Sequence, residues 1–232
     1  MSAFFPLFLC CFLLTFIGNL PAVLAQQALP LAINSPYEER EPVLADDGSA
    51  LYFWRRATPD NVGGANDPGD IWFASQGFRS GWSYPDHFTP PINTRGQEFI
   101  WQVSPDHDTL WIVSNNYGAG PNGVGYMYRN SENNWSRIYP IFIQDFQYKG
   151  EYKDFYFTDQ RVMVLVNEGQ TTYGGSDLYL AFPKNDTAWQ KPINMGPMIN
   201  TEKDEDAPFL TPDGKALYFN SNGRGGSGEH DI

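Results

Sequence analysis

The stretch Glu41–Phe53, with the sequence EPVLADDGSALYF, decides the fold because it recurs near the other end of the chain. Ala207–Phe219 has the sequence APFLTPDGKALYF, which matches the first stretch in its proline, its Asp-Gly pair and its Ala-Leu-Tyr-Phe end. Each stretch indicates two short apolar strands around a tight turn, since glycine accepts the positive φ that the turn needs. Such self-similarity predicts a protein built of repeated units.

Two weaker copies of this pattern lie between the strong ones, at residues 103–112 and 155–164. His107 stands in the first of these turns and Gln160 in the second, where the strong copies have glycine. This replacement weakens the hairpin prediction for the middle of the chain. A second marker has the same period, because three tryptophans follow one another at intervals of 53 and 54 residues, namely Trp82, Trp135 and Trp189.

A repeat of this length has the size of one propeller blade. Its apolar runs indicate four short antiparallel strands, each bounded by turn residues, and no stretch has a sustained helical period. The fold class is therefore predicted as an all-β propeller with four-stranded blades. In the first unit the predicted strands are Pro42–Ala45, Leu51–Trp54, Ile71–Ala74 and a short one around Trp82. The predicted units are 33–91, 92–142, 143–198 and an incomplete 199–232.

Charge and composition exclude several classes of protein. The 232 residues carry 27 acidic and 15 basic side chains, a formal net charge of −12, and no lysine precedes Lys149. Nucleic-acid binding is excluded because it needs clustered Lys and Arg to neutralise phosphates. Aromatic side chains make up 16% of the chain, and glycine and proline are abundant. This composition is typical of a folded all-β protein and argues against disorder.

The N-terminal segment has the pattern of a secretory signal peptide. Ala3–Ile17 is almost unbroken apolar sequence, and Val23-Leu24-Ala25 ends it in the pattern that a signal peptidase reads. We expect residues 1–25 to be cleaved after Ala25; the alternative is an uncleaved anchor, although the apolar run is short for a membrane span. Cys10 and Cys11 both lie in this segment. The mature chain therefore has no cysteine for a disulfide or a thiolate metal site.

Three stretches resemble a known family of repeats. Ile33–Leu44 (INSPYEEREPVL), Thr211–Lys215 (TPDGK) and Gly174–Tyr179 (GGSDLY) are similar to the TolB-like, WD-repeat-like propeller repeats of bacterial envelope proteins. The resemblance covers essentially the whole mature chain and implies a β-propeller. In that family the repeats often precede an OmpA-type peptidoglycan-binding domain. The motif residues build turns and blade edges, so the resemblance implies a place in the cell envelope without naming a ligand.

The number of units suggests an incomplete ring. Residues 26–232 hold about four units, and the last one stops at Asp231-Ile232, at the start of its third strand. An open sheet edge of this kind invites aggregation. We therefore expect the front part of a longer protein with six or more blades. The alternative is a four-bladed ring in which residues 26–36 supply the missing strands.

One rim of the predicted propeller is the candidate binding surface. In each blade the loops after the second and fourth strands open on the same face; the former are rich in Gly and Asn, and the latter carry carboxylates. Loops on a rigid scaffold often bind partners, and carboxylates attract cations or basic proteins. The alternative for each acid is that it caps a strand or keeps the surface soluble. The candidate binding residues are Arg55, Arg56, Tyr117, Tyr173, Glu205, Asp206 and Arg224.

The sequence contains no recognisable metal or catalytic constellation. Asp204-Glu205-Asp206 offers oxygen ligands for calcium, but the fuller Asp-x-Asp-x-Asp-Gly loop is absent. The three histidines lack metal-ligand spacing. Aspartates that recur at the start of each third strand favour a turn-bracing hydrogen bond, because an active site is needed only once; they are Asp70, Asp177 and Asp231. We predict no catalytic residue, no metal and no cofactor.

These observations together predict a non-catalytic binding or scaffolding module. We expect it to be exported to the periplasm or the outer membrane, with an envelope protein or a cell-wall component as its partner. The alternative is a carbohydrate-active propeller enzyme of the sialidase or glycosidase type. Such an enzyme needs an unrepeated carboxylate pair in the channel, whereas a scaffold shows only repeated acids.

Overall fold

The computed structural model describes residues 28–77, 81–114, 123–132, 134–147, 154–158, 161–169, 171–211 and 214–225. These residues form strands and loops with one 3₁₀ turn, Gly64–Asn66, and no α-helix. None of their helical turns has the length and apolar character needed to cross a bilayer. The predicted signal segment, Tyr117 and the strand start Asp231-Ile232 lie outside the described residues.

The strands form one antiparallel sheet in each repeat. The first sheet contains β1 (Glu38–Leu44), β2 (Ala50–Arg56), β3 (Asp70–Gly77), β4 (Gly81–Trp82) and β5 (Asp86–His87). The second contains β6 (Glu98–Val103), β7 (Thr109–Ser114), β8 (Val124–Tyr128) and β9 (Tyr139–Pro140). The third contains β11 (Phe155–Phe157), β12 (Met163–Asn167), β13 (Asp177–Ala181) and β15 (Ile193–Asn194), and the fourth contains β16 (Glu205–Leu210) and β17 (Leu217–Ser221). Between the second and third sheets, β10 (Phe142–Ile143) pairs in parallel with β14 (Ala188–Trp189).

The first strands of the four sheets lie side by side at the centre. β1 contacts β6, β6 contacts β11, and β11 contacts β16. The apolar core lies between consecutive sheets, with Ile71 and Leu110 in the cluster between the first two, and Phe155 and Trp189 in the next. Each sheet therefore buries its faces against its neighbours, as a propeller blade must. The prediction of an all-β propeller with about four blades is confirmed.

The described residues of the hairpins between first and second strands share one feature in all four units. The hairpins predicted only weakly in the middle units are present, and in the third unit Arg161, not the predicted Gln160, takes the place of the glycine. His107 and Arg161 adopt positive φ of 59° and 63°, close to the 72° of Gly48 and the 69° of Gly214. The N–H of each of these four residues donates to a carbonyl three residues earlier at 2.7 to 2.8 Å. Blade packing thus holds two side-chain-bearing residues in the left-handed region, at a cost of about 1–2 kcal/mol each.

The three repeated tryptophans are equivalent, as predicted. Trp82 pairs with Gln76, Trp135 with Arg129 and Trp189 with Pro183, each across the same six-residue offset. The residue after each tryptophan donates its N–H to the residue before each partner, at 2.7 to 2.9 Å. The register of the repeat is therefore the one that the sequence predicted.

An asparagine side chain joins the second unit to the first and the fourth unit to the third. Asn93 accepts the N–H of Ile71 and donates to its carbonyl, both at 2.9 Å, and Asn200 does the same to Leu178. Both asparagines are fully buried. Asn34, the equivalent residue of the first unit, is exposed and donates to Leu29 at 3.3 Å. The triplet Ile-Asn-Ser/Thr recurs at Ile33, Ile92 and Ile199, and its asparagine forms an inter-blade clasp in the second and fourth units.

Candidate functional site

Glu205, predicted to bind on the rim, is instead a buried structural residue. Its carboxylate accepts the N–H and the hydroxyl of Thr201 at 2.8 and 2.7 Å, and the hydroxyl of Ser221 at 2.7 Å. Glu98 makes the same contacts to Thr94 and Ser114 in the second unit. Burial raises the pKa of Glu98, and the hydrogen bonds from Thr94 and Ser114 oppose this shift. These glutamates fix the first strand of a blade, so the binding prediction for Glu205 is corrected.

Arg55 is also a structural residue. Its side chain is 6% exposed; Nε donates to Glu39 at 2.8 Å, and Nη2 donates to the carbonyls of Ala32 and Ile33. The guanidinium also lies 4.5 Å from the ring centre of Trp72. Because these contacts occupy the side chain inside the protein, its predicted role on a binding surface is corrected.

Arg224 makes the same carbonyl contacts in the fourth unit from a different sequence position. Its Nη2 donates to Met198 and Ile199, which correspond to Ala32 and Ile33. Its guanidinium lies over Phe219, as that of Arg55 lies over Phe53. The residue is nevertheless exposed. Arg224 therefore braces its own blade from the surface.

The remaining predicted rim residues lie at the surface or outside the described chain. Arg56 is half-exposed and lies 3.7 Å from Glu38. Tyr173 is 50% exposed, and its main-chain N–H donates to Asp177. Tyr117 lies outside the described residues. The binding roles of these residues stay predictions.

The aspartates at the start of the third strands brace their loops, as predicted. Asp70 accepts the N–H of Val62 at 2.8 Å, and Asp177 accepts the N–H of Tyr173 at 2.8 Å. Burial is the main cause that raises the pKa of Asp70 to about 7 and raises the pKa of Asp177. The buried Oδ1 atom of each has no hydrogen-bond partner in the structure. Their repetition marks them as part of the blade rather than of a unique active site.

Three carboxylates from three different blades lie near enough for their charges to interact, on or just before the first strands, and we call them the channel mouth: Glu41, Asp154 and Asp206. Asp154 and Asp206 occupy the same place in neighbouring first strands, opposite Val166 and Asn220. Asp154 accepts the main-chain N–H of Ala207 at 3.0 Å. Burial, followed by the charges of Asp206 and Glu41, raises the pKa of Asp154 to about 6. The mouth is thus a site of concentrated negative charge.

Backbone bulges lie at two of these acids, Glu41 and Asp206. The pairing of β1 with β2 slips between Arg40 and Val43, and that of β16 with β17 slips between Asp206 and Phe209. Glu41 and Ala207 lie in these bulges with positive φ of 50° and 47°, each directly before a proline. Bulges of this kind often re-aim groups near functional sites.

An aromatic cavity of about 610 Å³ follows the axis beyond the channel mouth. The first strands of all four units line it. Trp101, Tyr156 and Phe209 provide its aromatic surface, and Leu44 and Phe209 are about half exposed. A cavity of this size lies in the range of small-molecule sites. It fits an apolar stem, and the mouth beside it fits a cationic head.

Within the described residues, no three His, Cys, Asp or Glu side chains are arranged to hold a metal ion. Of the three acids at the channel mouth, the sequence named only Asp206 as a candidate binding residue, and it did not separate this residue from the buried Glu205. The cavity aromatics were not predicted. The sequence holds a partial sign of one of them, because Tyr156 lies between two buried phenylalanines on its strand.

Comparisons with known proteins add little to this description. No protein-family profile and no curated protein matches the chain. Among solved structures, the chain is similar to a periplasmic gluconolactonase of Pseudomonas aeruginosa, at 12% sequence identity and a TM-score of 0.38. The alignment covers 78% of this chain and 42% of that protein, so the chain spans less than half of its length. The propeller assignment rests on the strand order and the contacts between blades.

Proposed function

We propose that this chain is a non-catalytic binding module of an exported cell-envelope protein, and that its channel mouth binds a cationic group of an envelope partner. Export is proposed from the signal pattern of residues 1–25. A Lys or Arg side chain, or a free amino terminus, matches the charge of the mouth.

The convergence of Asp154, Asp206 and Glu41 carries this proposal. Burial and the charges of Asp206 and Glu41 raise the pKa of Asp154. The hydrogen bond from the amide of Ala207 lowers it. A bound cation relieves the repulsion among the carboxylates and favours the charged form of Asp154. The aromatic cavity next to the mouth adds surface for the carbon stem of the same ligand.

The repetition of acids supports binding over catalysis. Asp154 and Asp206 are equivalent positions of neighbouring blades, whereas an acid and base for glycoside hydrolysis must take different roles in one place. We therefore expect no glycoside turnover. A partner that binds through charge is expected to lose affinity as salt rises.

The test is a calorimetric titration of the secreted chain with pentalysine, repeated from 20 to about 300 mM salt. We expect saturable binding that weakens with salt, and that Asp154→Asn and Asp206→Asn weaken it by about tenfold each. Glu132→Gln is the matched control, since it removes one charge from an exposed turn far along the second blade. Equal loss in all three variants would mean attraction by net charge alone and would refute a site at the mouth. Turnover of a glycoside that Asp206→Asn abolishes would favour the enzyme alternative.

A further inference from the structure

A second cleft, of about 360 Å³, opens between the second and third blades. It lies at the turns that join first and second strands, whereas the channel mouth lies where the first strands begin. We call it the inter-blade cleft, and its principal side chains are Trp111, Tyr126, Phe157, Arg161 and Asp186. It shares Gln102 and Pro105 with the edge of the channel cavity. None of the acids of the channel mouth lines it.

Stacked aromatic rings form one wall of the inter-blade cleft. Trp111 stacks on Phe157 with ring centres 3.9 Å apart, and Tyr126 lies 5.7 Å from Trp111 on the next strand. Tyr139 continues the row at 5.6 Å from Tyr126. Trp111 and Tyr126 are partly exposed. The wall therefore offers flat apolar ring surface to a ligand.

The wall is not a feature of every blade. Tyr52, which occupies the position of Trp111 in the first unit, is buried in the core between the first and second blades. In the third unit the same position is Val164, which is also buried. In the fourth unit the position is Tyr218, which is 54% exposed. A tryptophan that lines a cleft between two described blades thus occurs at this place in one of the four units.

A charged pair stands at the edge of the wall. Arg161 donates from Nη1 to Asp186 at 3.0 Å, and its guanidinium lies 5.2 Å from the ring centre of Trp189. The side chain of Asp186 is fully exposed, and that of Arg161 is 34% exposed. Nη2 of Arg161 also donates to the carbonyls of Asn185 and Asp186. Three of the five N–H donors of the guanidinium are thus in use, and two donors of Arg161 and most lone pairs of Asp186 are left for a ligand. The ion pair of Arg161 and Asp186 has no net charge, so it favours neither a cationic nor an anionic ligand.

We infer that the inter-blade cleft binds a saccharide. A pyranose ring has an apolar C–H face that packs on aromatic rings, and hydroxyl groups at its edge that both donate and accept hydrogen bonds. The aromatic wall can pack on the C–H face of the pyranose. Arg161 and Asp186 can form hydrogen bonds with the hydroxyl groups at its edge. The volume of the cleft is that of a small-molecule site. This inference does not depend on the cationic ligand proposed for the channel mouth.

The test uses the secreted chain and three soluble probes, chitotriose, cellotriose and maltotriose. Binding is followed by tryptophan fluorescence and by calorimetry. We expect saturable binding of at least one probe, and a loss of about tenfold or more in Tyr126→Ala, in Arg161→Gly and in Asp186→Ala. Glycine at position 161 retains the positive φ of the turn, and Asp186 is fully exposed, so these two variants keep the fold.

Two controls separate this site from other effects. Tyr84→Ala removes an aromatic ring that is 83% exposed on the first blade and is expected to leave saccharide binding unchanged. Asp154→Asn is expected to weaken pentalysine but not the saccharide, so the failure of one proposal is distinguishable from the failure of the other. Absence of saturable binding for all three probes, or binding that Arg161→Gly and Asp186→Ala leave unchanged, overturns the inference.

Discussion

Asp154 of the third blade accepts, at 3.0 Å, the main-chain N–H of Ala207 in the fourth blade. This bond joins two neighbouring first strands and holds Ala207 at a positive φ of 47°. A non-glycine residue pays about 1–2 kcal/mol for that conformation. The result is that the carboxylates of Asp154 and Asp206 stay close enough for one to raise the pKa of the other. The geometry of the channel mouth therefore depends on packing between blades.

The asparagine clasp is predicted to be a main source of stability between blades. Asn93→Ala removes three buried hydrogen bonds to Ile71 and Phe88, including the one that the N–H of Ile71 donates. We expect a loss of about 2–4 kcal/mol in the free energy of unfolding, measured by urea denaturation. Asn34→Ala is the matched control and is expected to change it by less than about 0.5 kcal/mol. Equal effects of the two substitutions would contradict the clasp.

The two arginine braces are predicted to differ in strength. Arg55→Ala breaks a buried ion pair with Glu39 and is expected to destabilise the fold by about 3 kcal/mol or more. Arg224→Ala removes an exposed brace, and its expected cost is below about 1 kcal/mol. Thermal or urea unfolding of the two variants measures the difference. A larger loss of stability in Arg224→Ala than in Arg55→Ala would contradict this prediction.

The repeated tryptophans are predicted to contribute unequally despite their equivalent positions. Trp189 is fully buried and donates from Nε1 to the carbonyl of Arg161 at 2.8 Å, whereas Trp82 is partly exposed. Trp189→Ala is expected to cost about 3–5 kcal/mol. We expect a clearly smaller loss for Trp82→Ala in the same denaturation experiment. Similar losses would mean that the outer strand is equally buried in both blades.

The sequence predicts the repeat well and the site poorly, for a physical reason. The period, the turn aspartates and the equivalent tryptophans depend on local patterns that recur in each blade. Glu205 and Asp206 are adjacent acids, and neighbouring strand residues point to opposite faces. One is therefore buried against Thr201, and the other faces the axis near Asp154. Whether Glu205 or Asp206 is the buried acid depends on the bulge in this strand and on the packing of the next blade. Neither of these can be read from the residue types.

The protein is predicted to be more stable at mildly acidic pH than at alkaline pH. Burial raises the pKa of Asp70 to about 7, so the folded state binds a proton that the unfolded state releases above pH about 4. The contribution of Asp70 to stability is therefore largest below about pH 4 and is lost as the pH rises through 7. We expect a higher urea midpoint at pH 5.5 than at pH 8, and a smaller difference in Asp70→Asn. A higher midpoint at pH 8 would contradict this assignment.

The most direct test of a cation site at the channel mouth is the pH dependence of pentalysine binding to the wild type and to Asp154→Asn. The pKa of Asp154 is about 6, so this carboxylate is charged at pH 7.5 and largely protonated at pH 5. We expect the wild type to lose affinity for pentalysine between pH 7.5 and pH 5. Asp154→Asn is expected to bind weakly at both pH values, with little change between them. Equal affinity of the wild type at the two pH values, or a pH dependence that Asp154→Asn retains in full, would contradict the proposed cation site.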